Sequence, residues 1–127
     1  MATSTVLTAA GKELKEYLKP CIDLSERLDR IDEELSYYEG LELTREEEDL
    51  REERRQVYSL LCQYRNEVYD LIRDTPELSV DERSVIRLRY LRAVKWSDVA
   101  LTKYLTKSAV YKQHRKALNK MAKTKNI

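Results

Sequence analysis

The sequence predicts an all-α protein: a long antiparallel helical hairpin, coiled-coil-like, followed by a set of shorter helices. Three observations predict it. Charged residues make up 37% of the 127-residue chain, against roughly 25% in an average globular domain. Gly and Pro number two each, so few positions break a helix. Apolar residues recur at helical and heptad spacing through most of the length.

The first helix is written by Leu14, Tyr17, Cys21, Leu24, Leu28, Ile31, Leu35 and Tyr38, which step alternately by three and four. That is a heptad seam. Pro20 falls inside it, and an interior proline costs ~3 kcal/mol and kinks a helix. The seam keeps its phase across Pro20, which favours one bent helix over a helix that begins there. Gly40 stops it, as a left-handed residue beyond a helix end does.

Thr44 with Glu47 reads as a capping box opening a second helix. Its seam is Leu50, Arg54, Val57, Leu61, Tyr64, Val68 and Leu71, with Arg54 the one polar interruption. Asp74-Thr75-Pro76 closes it, because the residue before proline is pushed out of the helical region. A loop near residues 39–43 makes the two helices antiparallel neighbours, each about 40 Å long at ~1.5 Å per residue. Ile22, Tyr37, Tyr58, Leu60, Tyr69 and Ile72 lie off the seams. They are expected to cover the C-terminal helices, a second copy of the chain as a homodimer, or both. The acidic run at 46–49, with Glu52 and Glu53 among Arg51, Arg54 and Arg55, reads as a solvated face. Its i,i+4 ion pairs are worth only ~0.3–0.5 kcal/mol each.

Ser79 with Glu82 is a further capping box, opening a helix that carries Val85, Ile86, Leu88, Tyr90 and Leu91. A basic turn follows, Arg92-Ala93-Val94-Lys95-Trp96. Ser97 is expected to cap a short helix with Val99 and Ala100 inside. Thr106 is expected to cap a last helix with an inner stripe of Val110, His114, Ala117, Leu118 and Met121. That stripe leaves Lys107, Ser108, Tyr111, Lys112, Arg115 and Lys116 on or near the outer face.

Charge divides the same way. Residues 1–76 hold 11 Lys and Arg against 19 Asp and Glu, whereas residues 77–127 hold 13 against 4. After Asp98 no acidic side chain follows, but eight basic ones do. The division predicts two modules: an acidic hairpin over 1–76, for dimerisation or partner binding, and a basic module over 77–127.

Residues Ser97-Asp98-Val99-Ala100, then Val110, Ala117-Leu118 and Lys120-Met121, resemble region four of bacterial primary sigma factors. There a short helix is followed ten residues later by the valine of a recognition helix, and later by an A-L-x-K-L ending. Glu82 to Tyr90 resembles the helix before that motif. With Arg89-Tyr90, Trp96, Tyr111 and His114, the wording is similar to the ArpU and RinA kind of late-gene transcription activators, from phages of Gram-positive bacteria. The resemblance covers residues 78–121. It implies a C-terminal helix-turn-helix, sequence-specific binding of double-stranded DNA, host RNA polymerase as a further partner, and the cytoplasm of a bacterial host cell. Two positions depart from the pattern: Lys103-Tyr104 stands where the family has Leu-Gly at the turn, and Gln113 stands where it has Ile. Either the turn is built differently, with Leu101 or Leu105 filling the gap, or DNA recognition is lost.

Carried over by position, Lys107, Ser108, Tyr111 and Lys112 face the bases in the major groove. Ser97 and Thr106, with the N–H groups of the helices they open, take phosphates. Arg92, Lys95, Lys103, Arg115 and Lys116 add charge contacts to the DNA backbone. An interaction protein is the competing class, with the helix-turn-helix as scaffold and the basic face bound to a host protein, as in anti-CRISPR inhibitors. A terminase-like DNA-packaging subunit is the third.

Other classes find little support. No window approaches the roughly 18 apolar residues of a membrane span, and residues 1–11 lack the basic and apolar regions of a signal peptide. Cys21 and Cys62 make no disulfide framework. His114 is the sole histidine, so a metal site would lack ligands. No glycine-rich phosphate loop or nucleophile–base set is present. Neither an enzyme nor a cofactor is expected.

Overall fold

The computed structural model describes residues 6–42 and 44–126, and every regular element among them is helical. The elements are α1 (Ala9–Leu18), α2 (Pro20–Ser36), α3 (Arg45–Arg73), α4 (Val80–Ile86), α5 (Trp96–Lys103) and α6 (Lys107–Thr124). A π-helical stretch, Arg87–Leu91, continues α4.

Helices α1 and α2 are two arms of one bent helix. Pro20 has no N–H to donate, so the ladder breaks at that point. Lys19 nonetheless keeps helical angles, φ −52° and ψ −37°, and its carbonyl accepts from Asp23 N at 3.1 Å. The chain turns after Ser36, and Gly40 sits at φ +77°, where a side chain would be strained. Thr44 Oγ1 then caps α3 by accepting from Glu47 N at 3.2 Å. The other half of the expected box is not made, because the Glu47 carboxylate turns to Arg51 at 2.9 Å.

Helix α3 runs 29 residues, about 43 Å at ~1.5 Å per residue. It pairs with α2 along the hairpin. Ile31, Val57 and Leu61 are buried there, while Leu24, Leu28, Leu35 and Leu50 are half-buried. Arg54, the polar break in the seam, reaches across to Asp32 at 2.5 Å, and Arg27 reaches Glu53 at 2.6 Å.

The main core lies where this hairpin meets the C-terminal helices. Leu14, Leu18 and Cys21 pack there with Val68, Leu71, Ile72, Leu78, Ile86 and Tyr90, and with Ala117, Leu118, Met121 and Ala122 of α6. The cluster draws on both sides of residue 76. Each fully buried leucine contributes about 1.5–3 kcal/mol, so the acidic and basic halves are joined by strong packing. A smaller cluster, Val85, Val99, Ala100 and Val110, holds α5 against α4 and α6. Of the off-seam residues, Ile22 and Ile72 join the core. Tyr37, Tyr58, Leu60 and Tyr69 remain exposed on the hairpin.

One packing relation had no signal in the sequence. Helix α1 lies along α6, with Gly11 close against Asn119 of α6. A Cβ at Gly11 would meet Asn119 Oδ1 at 2.4 Å and Leu7 Cδ1 at 2.9 Å. Asn119 is fixed by three bonds: it accepts from Thr8 N (2.9 Å) and Thr8 Oγ1 (3.0 Å) and donates to Val6 O (2.9 Å). Among the described residues no helix is long and apolar enough to cross a membrane.

Candidate nucleic-acid interface

Helix α4 begins with the expected reciprocal box: Glu82 N donates to Ser79 Oγ at 3.0 Å, and Ser79 N to Glu82 Oε1 at 2.9 Å. Burial works against the Glu82 charge, but Lys120 at 2.7 Å and the Ser79 donors hold its carboxyl below the ordinary range. The helix then widens into the π-helical stretch, and two residues beyond its end Ala93 sits at φ +51°. Both features depart from regular geometry, and π-turns recur at functional sites. The stretch aims two neighbouring side chains at one place. Tyr90 Oη makes a 2.7 Å hydrogen bond with His114 Nε2. The Arg89 guanidinium lies over the Trp96 ring at 4.9 Å and donates to Val94 O at 3.0 Å.

Ser97 does not cap α5. The helix starts two residues earlier than a Ser97 cap would have it, with Lys95 at the cap and no side-chain cap bond, which leaves Ser97 exposed inside the first turn. The turn from α5 to α6 is closed without glycine. Tyr104 itself takes the left-handed conformation, φ 55° and ψ 40°. Tyr104 N donates to Leu101 O at 3.2 Å, and Leu105 N to Ala100 O at 3.0 Å. Those two bonds form a Schellman motif. Neither Leu101 nor Leu105 fills a gap; they are 72% and 38% exposed.

Thr106 caps α6 as expected, its hydroxyl accepting from Ala109 N at 3.1 Å. Val110, His114, Ala117, Leu118 and Met121 are all buried. Burial pushes the His114 imidazole down to about 3, helped by the charges of Lys15, Arg89 and Arg115. Burial likewise raises the Tyr90 phenol, so the buried pair is neutral. Gln113 is half-buried, and its Oε1 has no partner among the described residues.

The predicted contact residues fall into two groups. Lys107, Ser108, Lys112 and Lys116 are exposed on α6, and Arg92 and Lys95 are exposed in the turn before α5. Among the described residues none of these cations forms an ion pair. Tyr111 is on the same side but half-turned inward, its ring against the edge of Trp96 at 5.2 Å. Lys103 is taken: its side chain is 8% exposed and meets Asp81 at 3.1 Å. Arg115 is half-buried, with its charge bearing on His114.

The structure also brings in residues that sequence reasoning missed. Lys15, Glu16 and Lys19, from the bent end of α1, face Arg89, Trp96 and His114 across a cleft of about 270 Å³. Lys15 and Lys19 stand four apart on one face of α1, a legible spacing. What no pattern gave was that α1 lies against α6. Lys123 adds a further exposed cation to α6.

Comparison with family models, with curated proteins and with solved structures finds no match to this chain.

Proposed function

We propose that the chain is a DNA-binding transcription regulator of phage or prophage type, with α5, its turn and α6 working as a helix-turn-helix. In this reading α6 enters the major groove, with Lys107, Ser108 and Lys112 toward the bases and Tyr111 at their edge. Arg92, Lys95, Lys116 and the Thr106 end of α6 take phosphates. The acidic hairpin remains free for a protein contact, host RNA polymerase being the partner implied.

The contrast between the two ends of the molecule carries this reading. The hairpin is what a solvated charged face looks like: Glu47–Arg51, Arg27–Glu53, Arg54–Asp32 and Glu52–Arg55 are paired. On α6, Lys107, Lys112, Lys116 and Lys123 are exposed, and among the described residues none of them forms an ion pair. A field of one sign costs self-repulsion and is useful toward a polyanion. With Arg92, Lys95 and Lys116 each neutralising a phosphate, log K falls with log salt at a slope of about −3.

A gel-shift salt titration on random and promoter duplexes tests this, with wild type beside Lys107→Ala/Lys112→Ala. Expected are salt-dependent binding, preference for one promoter in the wild type, and in the double variant binding weaker by about 1–3 kcal/mol with that preference relaxed. No shift at low salt would overturn the reading. A second reading, an interaction protein that binds a host factor through this face, is favoured by the apolar side chains around the turn. Tyr104 and Leu101 are 95% and 72% exposed, which a purely electrostatic surface does not need.

A further inference from the structure

We propose that the cleft between the α1–α2 bend and the π-helical stretch binds a small phosphate monoester, such as a mononucleotide. The inference goes beyond DNA binding and does not depend on it. Three cations line the cleft, Lys15, Lys19 and Arg89, against one carboxylate, Glu16, leaving an excess of two positive charges. A phosphate monoester carries about −1.5 to −2 at neutral pH and three acceptor oxygens. It balances the excess charge and offers one oxygen to each of the three cations. A carboxylate or a backbone diester carries one charge and leaves the site unbalanced.

Arg89 is prepared for this role. Its ring contact with Trp96 and its bond to Val94 O fix the guanidinium, while only one of its five N–H donors is spent in that bond. A fixed planar fork loses little freedom on gripping a phosphate. The wall that carries it is also the irregular part of the chain. Two residues beyond the π-helical stretch Ala93 sits at φ +51°, a conformation that costs a non-glycine residue stability and is retained where it serves a site. The floor, the neutral Tyr90–His114 pair, puts no competing charge under the ligand. The walls belong to α1 on one side and to the segment leading into α5 on the other. A bound phosphate therefore bridges the bent helix to the basic module.

Trp96 is the only tryptophan in the chain, so its fluorescence reports on the cleft directly. The full chain is titrated with adenosine monophosphate, with adenosine as the uncharged control, and with a duplex bearing 5′-hydroxyl ends. The proposal expects a saturable change with the monophosphate and none with adenosine. It expects binding at least tenfold weaker in Lys15→Gln/Lys19→Gln and in Arg89→Gln. The lysines are exposed, so that double variant keeps the fold, as far-UV circular dichroism checks. No saturable response, an equal response to adenosine, a response to the duplex alone, or unchanged binding in the lysine variant would each overturn it. Lys107→Ala/Lys112→Ala, which probes the DNA reading, is expected to leave the monophosphate titration as it is, so the two proposals fail separately.

Discussion

Tyr104 holds the turn between α5 and α6 in a conformation that L-residues resist. A left-handed residue other than glycine, asparagine or aspartate costs about 1–3 kcal/mol, and Tyr104 keeps it because two Schellman bonds close around it. Its ring is 95% exposed, so removing it forfeits little packing. Tyr104→Gly is therefore expected to stabilise the protein by about 1 kcal/mol, read as a higher urea midpoint with an unchanged slope. A lower midpoint would mean that the ring holds the turn. The sequence made the missing glycine visible, but not that the backbone adopts the left-handed form regardless. His114 is a second case. An imidazole packed against the core was legible in the 3.6-residue stripe, whereas the hydrogen bond to Tyr90 depends on the π-turn, which has no periodic signature. The pKa of His114 falls from 6.5 to about 3 on folding. Between those values the unfolded chain binds a proton that the folded chain does not, so stability rises with pH. It is fully present above pH 6.5 and is lost as pH falls toward 3. At ~1.4 kcal/mol per pH unit, acidification to pH 5 is expected to cost about 2 kcal/mol. His114→Gln should flatten the melting temperature between pH 7 and pH 5; an unchanged slope would assign that loss to other groups.

Among the elements, the ones with a full heptad or a capping signal were the readable ones. Both long helices, the box at Ser79 and Glu82, and the cap at Thr106 follow from residue types at fixed offsets, because capping chemistry is local. Ser97 shows the limit: a serine fails to cap when the helix starts two residues earlier, at Trp96 rather than Asp98. The α1–α6 contact shows a deeper one. Gly11 reads in the sequence as an ordinary small residue, and only the distant Asn119 makes it indispensable. Gly11→Ala places a methyl 2.4 Å from Asn119 Oδ1, and Asn119 cannot yield without breaking its bonds to Thr8 and Val6. The expected cost is about 1–3 kcal/mol, measured by urea unfolding. Asn119→Ala removes the obstructing atom, so the double variant should lose less than the sum of the singles. Strict additivity would mean that the clash is relieved elsewhere.

At the scale of the whole molecule, charge and packing divide the chain differently. Charge separates an acidic hairpin from a basic module near residue 76, and composition alone gave that. Packing does not divide there: Leu14, Leu18 and Cys21 share one cluster with Val68, Ile86, Leu118 and Met121. Composition cannot reveal this, because the same leucines fill a core within a module or between modules equally well. The consequence is thermodynamic. Were the modules independent, the hairpin and the basic helices would melt separately. A shared core of this size makes opening either one expose apolar surface on both, at about 25 cal/mol per Å². Two probes separate the cases. Far-UV circular dichroism weighs the hairpin helices α1, α2 and α3 together most heavily, whereas the single Trp96 reports on the α5–α6 end. In urea the two transitions are expected to coincide in midpoint and slope, the signature of one cooperative unit. The outer part of the hairpin, where Leu24, Leu28, Leu35 and Leu50 are only half-buried, should still open locally. Its amides are expected to exchange faster than those of residues 61–72. Separated transitions, with the dichroism falling before the fluorescence, would show that the hairpin unfolds on its own and that the α1–α6 contact couples the halves only weakly.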